Sequence, residues 1–409
     1  MTVRIEAQGA VMKVRVLAVS WLIVGLASIA LLGSSTAVRA QAQNQNEIHQ
    51  TYDLAAGGTV SVSNVSGYIR VTSWDENRVR VDAVKQGPTA EDFSRVEIQV
   101  SARPDAVVIR TVYPGMGGDR RGRSTNVSVN YDLKVPRTAI LNSLNSISGE
   151  ITVTGPVAQL TARSVSGSVA VQEVQGAVLL SSTSGSITAR RVGGARDDTV
   201  VNATSGNVIL ERVAGRAISH TVSGSISMID VGADVSAEST SNSVTVENVR
   251  GRVTATTLSG NVVVRGAQEG VSARAVSGEI EINDVKGRID ASTTSGGISL
   301  RRVDSREVKT KTTSGVVGFQ GRIYDDGRYS FESFSGEITV LVPSESGFNL
   351  TARTYSGAIN TEFPIQLLPG SFGGEHQVRG TAGKGGAEII VAGFSGRIQI
   401  KKATGTTNR

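Results

Sequence analysis

A Ser-Gly pair returns every 18 to 21 residues between Ser148 and Ser356, and no other feature restricts the possible folds so tightly. The pairs begin at Ser148, Ser166, Ser184, Ser205, Ser223, Ser259, Ser277, Ser295, Ser314, Ser335 and Ser356. Ser241-Asn242 fills the one gap, and Asn is the residue that best replaces Gly at positive φ. A second glycine stands half-way along several repeats, at Gly176, Gly194, Gly215, Gly251 and Gly287, so the deeper period is nine: strand, turn, strand, turn.

Three residues after each marker serine stands an aliphatic residue, as in Val169, Ile187, Val208, Ile226, Val244 and Val262. Two further on come Val171, Leu210, Met228, Val246 and Val264, and a spacing of two puts these side chains on one face of a strand. Before the marker, position −4 is Ala237, Ala255, Ala273 or Ala291, while position −3 is Arg163, His220, Glu238, Arg274, Lys311, Glu332 or Arg353 and must face water. A unit with two short strands cannot bury its apolar face alone, but stacked copies close a continuous core. The expected fold is all-β: a single-stranded parallel β-solenoid, or β-helix, with about 18 residues per rung. Eleven rung intervals at about 4.8 Å give a rod of about 50–55 Å. The marker serines are expected to form a column whose hydroxyls satisfy turn backbone groups. No His-acid pair converges on any of them, so no catalytic residue is assigned.

The beat also sets the domains. Residues 148–360 are the solenoid repeats. Residues 43–147 read as an N-terminal β module of irregular strands, with a GMGGDRRGR loop at 115–123, and 361–409 as a C-terminal cap with a last rung. Residues 1–40 read as a signal peptide: Lys13 and Arg15, the apolar run from Val16 to Gly33, then SSTAVRAQA with Val38 and Ala40 at the small positions. The expected location is extracytoplasmic (periplasm, cell surface or secreted) after cleavage near Ala40. Only an uncleaved signal would tie the chain to a membrane, since the apolar run approaches the roughly 20 residues of a membrane span.

Composition removes whole classes of chemistry. There is no cysteine, so disulfides, thiolate metal sites and cysteine nucleophiles are excluded. The three histidines, His49, His220 and His376, are far apart in the chain. The net charge of +6 is partly carried by residues 1–40, whose removal leaves 38 basic and 35 acidic residues. The charges are interspersed, with no basic face beside aromatics, so nucleic acid is not an expected partner. Calcium β-rolls share the nine-residue half-turn but need a recurrent Asp in the turn, where this chain has Ser, Asn, Val or Arg. Asp197-Asp198 and Asp325-Asp326 lie seven rungs apart and read as turns. Neither a metal nor a cofactor is expected. The rival to a binding protein is a carbohydrate-active β-helix enzyme, a polysaccharide lyase or glycosidase. A glycosidase needs two carboxyls about 5–10 Å apart. Glu279 and Glu281 share one strand face at about the right spacing, and as a charged solvent face they also discourage lateral aggregation. A periplasmic structural solenoid is a further alternative.

The opening GTVSVSNVSGYIRVTSWDENRVRV, the middle YDLKVPR, the SGxIxV run and the closing GGAEIIVAGFSGRIQI resemble the bacterial putative-adhesin family over about residues 50–402. That resemblance implies an exported β-solenoid of unknown function with no established catalytic residues, and no functional residue carries over. The expected function is therefore a non-catalytic, adhesin-like binding or scaffold protein of the cell envelope.

The candidate site comes from the residues alone. Position −1 faces outward and is mostly Val, Thr or Leu, but becomes Phe334, Tyr355 and Phe394 at the C-terminal end, with Glu332 and Arg353 nearby. Phe334 and Tyr355 are expected to stack on adjacent rungs, with Phe394 continuing the column. Aromatic groups flanked by charge suit a surface glycan or an envelope protein. Alternatively, 361–373, with Phe363, Leu367 and Leu368, folds over the aromatics as a cap. Intact-mass measurement of the protein from its native host is expected to give a mature N-terminus at Gln41 or Gln43. A chain starting at Met1 or Met12 would mean an anchored protein.

Overall fold

The computed structural model describes residues 46–113, 126–368 and 376–403. The signal-peptide segment and the glycine-rich loop at 115–123 lie outside the described residues. Each turn of the coil gives one strand to each of two long parallel sheets. Val169–Val174, Ile187–Val192, Val208–Val213 and their successors build the first sheet; Gln159–Ser164, Val178–Ser182, Asp198–Ala203 and theirs build the second. About eleven turns follow one another in chain order, from 140–157 to 328–342.

Pairing is in register: Val169 lies opposite Ile187, Ile187 opposite Val208, and Val208 opposite Ile226. Each of these aliphatic columns is buried, as is the alanine column Ala237, Ala255, Ala273 and Ala291 that meets it from the second sheet. β-Branched side chains suit this pleated surface, and alanine keeps the two sheets close. The 21-residue repeats place their surplus residues in bends: at Gly193–Asp197, where the Asp197 amide donates to the Gly194 carbonyl at 3.1 Å, at Tyr324–Gly327, where the Gly327 amide donates to the Tyr324 carbonyl at 2.8 Å, and at Pro343–Ser346, where the Ser346 amide donates to the Pro343 carbonyl at 3.0 Å. The one helix among the described residues, Ala90–Arg95, is capped by the Thr89 hydroxyl, which accepts from the Asp92 amide. No helix there is long and apolar enough to cross a membrane.

From Gly260 onward the marker glycine is favoured by contact as well as by conformation. At Gly278 φ is +156°, and a Cβ there would overlap the Gly260 carbonyl one turn below. Asn242 takes the same conformation, at φ +152°. The serine beside the glycine does not satisfy the turn, which corrects the expected role of that column. Ser166, Ser184, Ser259 and Ser277 are all exposed. The hydroxyls that serve the turns sit at position −2, where alternation points them inward. Ser239 donates to the Gly224 carbonyl at 3.0 Å, Thr293 to Gly278 at 3.1 Å and Ser333 to Gly315 at 3.0 Å.

At both ends the order of turns in space departs from their order in the chain. Residues 46–113 and 126–147 feed the same two sheets. The turn formed by Thr59–Ser66 and Ile69–Trp74 lies between the turn of Ala106–Val112 and Ser128–Pro136 and the turn of Ile140–Ser148 and Ile151–Val157. Antiparallel strands finish that end: Glu97–Arg103 on the second sheet, Arg78–Gln86 and then Glu47–Asp53 on the first. A buried network holds this arrangement. Asn64 Nδ2 donates to the Val129 carbonyl at 2.7 Å, and the Thr111 hydroxyl lies 2.6 Å from that of Tyr131. Burial pushes the Tyr131 hydroxyl far above its usual pKa. At the other end, Ala387–Ser395 and Ile398–Lys402 slide between the turn at 328–342 and the turn of Phe348–Arg353 and Ile359–Thr361. Gln377–Ala382 and Ile365–Leu367 then close the second sheet antiparallel.

Deleting 242–259 removes one full turn and joins Ser241 to Gly260, which restores the marker pair. The shortened protein is expected to melt within a few degrees of the parent, because each turn contacts only its neighbours. Deleting nine residues instead exchanges the two kinds of strand in every later turn and should abolish the cooperative transition in circular dichroism.

Candidate functional site

Position −1 lies outside because −2 and −4 point into the core, and the C-terminal turns use it to expose aromatic rings. Phe334 is the next-to-last residue of Arg328–Ser335, Phe394 that of Ala387–Ser395, and Tyr355 follows Phe348–Arg353. The intercalated last turn corrects the expected order: Phe394 is the middle ring. Phe334 and Phe394 stack with centroids 4.6 Å apart and planes 5° from parallel; Phe394 and Tyr355 stack at 4.8 Å and 4°. Phe334 and Tyr355 are thus two turns apart and do not touch through their faces. The rings are 56%, 43% and 73% exposed for Phe334, Phe394 and Tyr355. Both faces of Phe394 are covered by its neighbours, so the stack turns ring edges toward solvent. One face of Tyr355 has no aromatic partner among the described residues.

The alternative of a covering segment does not hold among the described residues. Phe363 is buried, edge-on to Phe348 with centroids 5.1 Å apart, on the core side. Leu367 and Leu368 are exposed. Residues 369–373 of that proposed cap lie outside the described residues.

Glu332 and Arg353 are not brought together. Each lies opposite Ala392, Glu332 from one side and Arg353 from the other. Glu332 instead lies 3.8 Å from Lys311, an exposed pair of small energetic worth. Arg353 has no acid partner among the described residues. Beside the rings runs a groove of about 410 Å³, lined by Lys311, Glu332, Phe334, Arg353, Gly393 and Phe394. Lys311, Ala392 and Gly393 were not singled out as site residues. Lys311 stands in the outward −3 column one turn before Glu332, and the Ser395-Gly396 marker places Ala392 and Gly393 in the −3 and −2 columns.

Glu281 accepts from Asn283 Nδ2 at 2.6 Å, and the Glu279 amide donates to Asn261 Oδ1 at 3.0 Å. Among the described residues no three His, Asp or Glu side chains cluster closely enough to hold a metal ion.

The Toastrack DUF4097 family model matches residues 193–321 and, in an overlapping second run, 271–401, together just over half of the chain. The chain belongs to this family. The second Toastrack match takes in Phe334, Tyr355 and Phe394, so the ring stack lies within the family's domain. Two solved structures are also similar to the chain. One is a "putative cell adhesion protein" from Clostridium sporogenes, with 11% identity, 87% of this chain and 100% of that one covered, and a TM-score of 0.18. The other is a "putative adhesin" from Parabacteroides distasonis, with 8% identity, 88% and 98% covered, and a TM-score of 0.17. No curated protein matches the chain.

Removing the middle ring of this Toastrack domain deletes two stacking contacts, each worth about 0.5–1.5 kcal/mol beyond area burial. Phe394→Ala is therefore expected to cost about 1–3 kcal/mol in denaturant unfolding, and Phe334→Ala or Tyr355→Ala about half as much. A loss of about 4 kcal/mol at either outer ring would mean that the ring is buried.

Proposed function

We propose that the protein is exported to the bacterial cell envelope and acts there as a non-catalytic, adhesin-like binding scaffold, with the C-terminal ring stack as its contact surface for glycans. The observation that carries this reading is the exposure of three stacked rings in a chain with no aromatic between 132 and 318. Large apolar groups left in water cost solubility unless a ligand or partner covers them. Their geometry also sorts what can bind. The face of Tyr355 that has no aromatic partner among the described residues can stack on the C–H face of a sugar ring, while the ring edges, the positive part of the aromatic quadrupole, meet oxygen atoms. The signal-peptide pattern of residues 1–40 supports export.

The double variant Phe334→Ala/Tyr355→Ala tests the proposal on a glycan array, with melting measured on the same sample. Loss of glycan binding with a melting shift of only a few degrees is the expected result. A large drop in melting temperature with glycan binding intact would overturn the contact-surface assignment.

A further inference from the structure

The groove beside the ring stack has a counterpart at the other end of the same face. A cavity of about 430 Å³ is lined by Asn145, Ile147, Arg163, Val165 and Thr183, with Ser146, Ser164 and Ser182 between the two walls. These residues occupy positions −3, −2 and −1 of successive turns, the same three columns that make the C-terminal groove. The intervening turns keep these columns aligned, through Ser164 opposite Ser182, Thr221 opposite Ser239, Ser259 opposite Ser277 and Ser314 opposite Ser335. One wall is a ridge of exposed side chains, Ile147, Val165, Val222, Leu258 and Val276, that ends in the three rings. From Ile147 to Tyr355 the track spans twelve turn intervals, about 58 Å at about 4.8 Å each.

The other wall decides the charge of what lies there. His220 pairs with Glu238 at 3.1 Å and Lys311 with Glu332 at 3.8 Å. Arg163, Arg274 and Arg353 have no acid partner among the described residues, so the uncompensated charge along the wall is positive. We infer that this track holds an unbranched acidic polysaccharide lengthwise, its sugars repeating along the turns and its carboxylates meeting the unpaired arginines. The inference rests on the ring stack being a glycan-binding surface and adds the charge and length of the ligand. A peptide strand is disfavoured because strand addition needs a free sheet edge, and this track is the face of a sheet whose backbone is already paired. Double-stranded DNA presents a charge about every 1.7 Å, far denser than three arginines along the track can match.

Polygalacturonate, polymannuronate and hyaluronate, each beside its own tetrasaccharide, provide the test. A ligand that bridges many turns gains affinity with length by repeated local contact. Arg163→Ala is expected to weaken binding of a long polymer about tenfold while leaving the tetrasaccharide unchanged, and Tyr355→Ala to weaken both. If Arg163→Ala and Arg274→Ala leave polymer binding unaltered while Tyr355→Ala abolishes it, the lengthwise track is overturned and the ring-stack reading survives. If none of these acids binds but neutral glycans do, the acidic assignment falls alone; if no glycan binds at all, both readings fall. Rods that pair in sedimentation without sugar, and separate on Leu258→Lys, would show that a second copy covers the ridge and would also overturn the inference.

Discussion

Every turn must lie about 4.8 Å from the next for its strands to hydrogen bond, and the rest of the structure follows from that spacing. It favours glycine in the marker turn, because a side chain at Gly278 would enter the carbonyl of the turn below, and only Asn242 among these positions carries one. It brings several −2 hydroxyls within reach of a neighbouring turn's carbonyl, as for Ser239 and Gly224. It also sets the ring stack. Centroid separations of 4.6 and 4.8 Å at Phe334, Phe394 and Tyr355 match the backbone repeat, so parallel stacking is imposed by the sheet on side chains that share a column.

Much of this was legible because period-two alternation assigns inside and outside without knowledge of the fold. The aliphatic columns at +3, the alanines at −4 and the outward −1 column all lie where alternation puts them. For the marker serines proximity to the turn and alternation point to opposite roles, and alternation decides. Ser166 is next to Gly167 but faces out, while Ser164 faces in. A serine's reach into a turn depends on which side of the strand it leaves.

The order of turns at the ends could not be read from the repeat. Alternation and spacing state that 387–402 forms a turn, and its Ser395-Gly396 marker agrees with the beat, but any turn of this period fits any other. What selects its slot is long-range. The antiparallel strands Gln377–Ala382 and Ile365–Leu367 occupy the second sheet beyond Phe348–Arg353, leaving the position beside Arg328–Ser335 to the last turn. The same limit applies to the rings. The column they share is written in the sequence, but the fact that Phe394 separates the other two, and so turns edges outward, depends on the chain's path.

That path gives the molecule a sense of completion in time. During synthesis from the N-terminus, the turns at 328–342 and 348–361 both emerge before the segment that must part them. They have no strand of their own to share until 387–402 arrives, since both pair with it in the finished rod. The final segment therefore acts as a keystone, and it brings the central ring with it. A chain interrupted between Tyr355 and Phe394 has the two outer aromatics without the ring that stacks between them, so the stack exists only once 387–402 is in place.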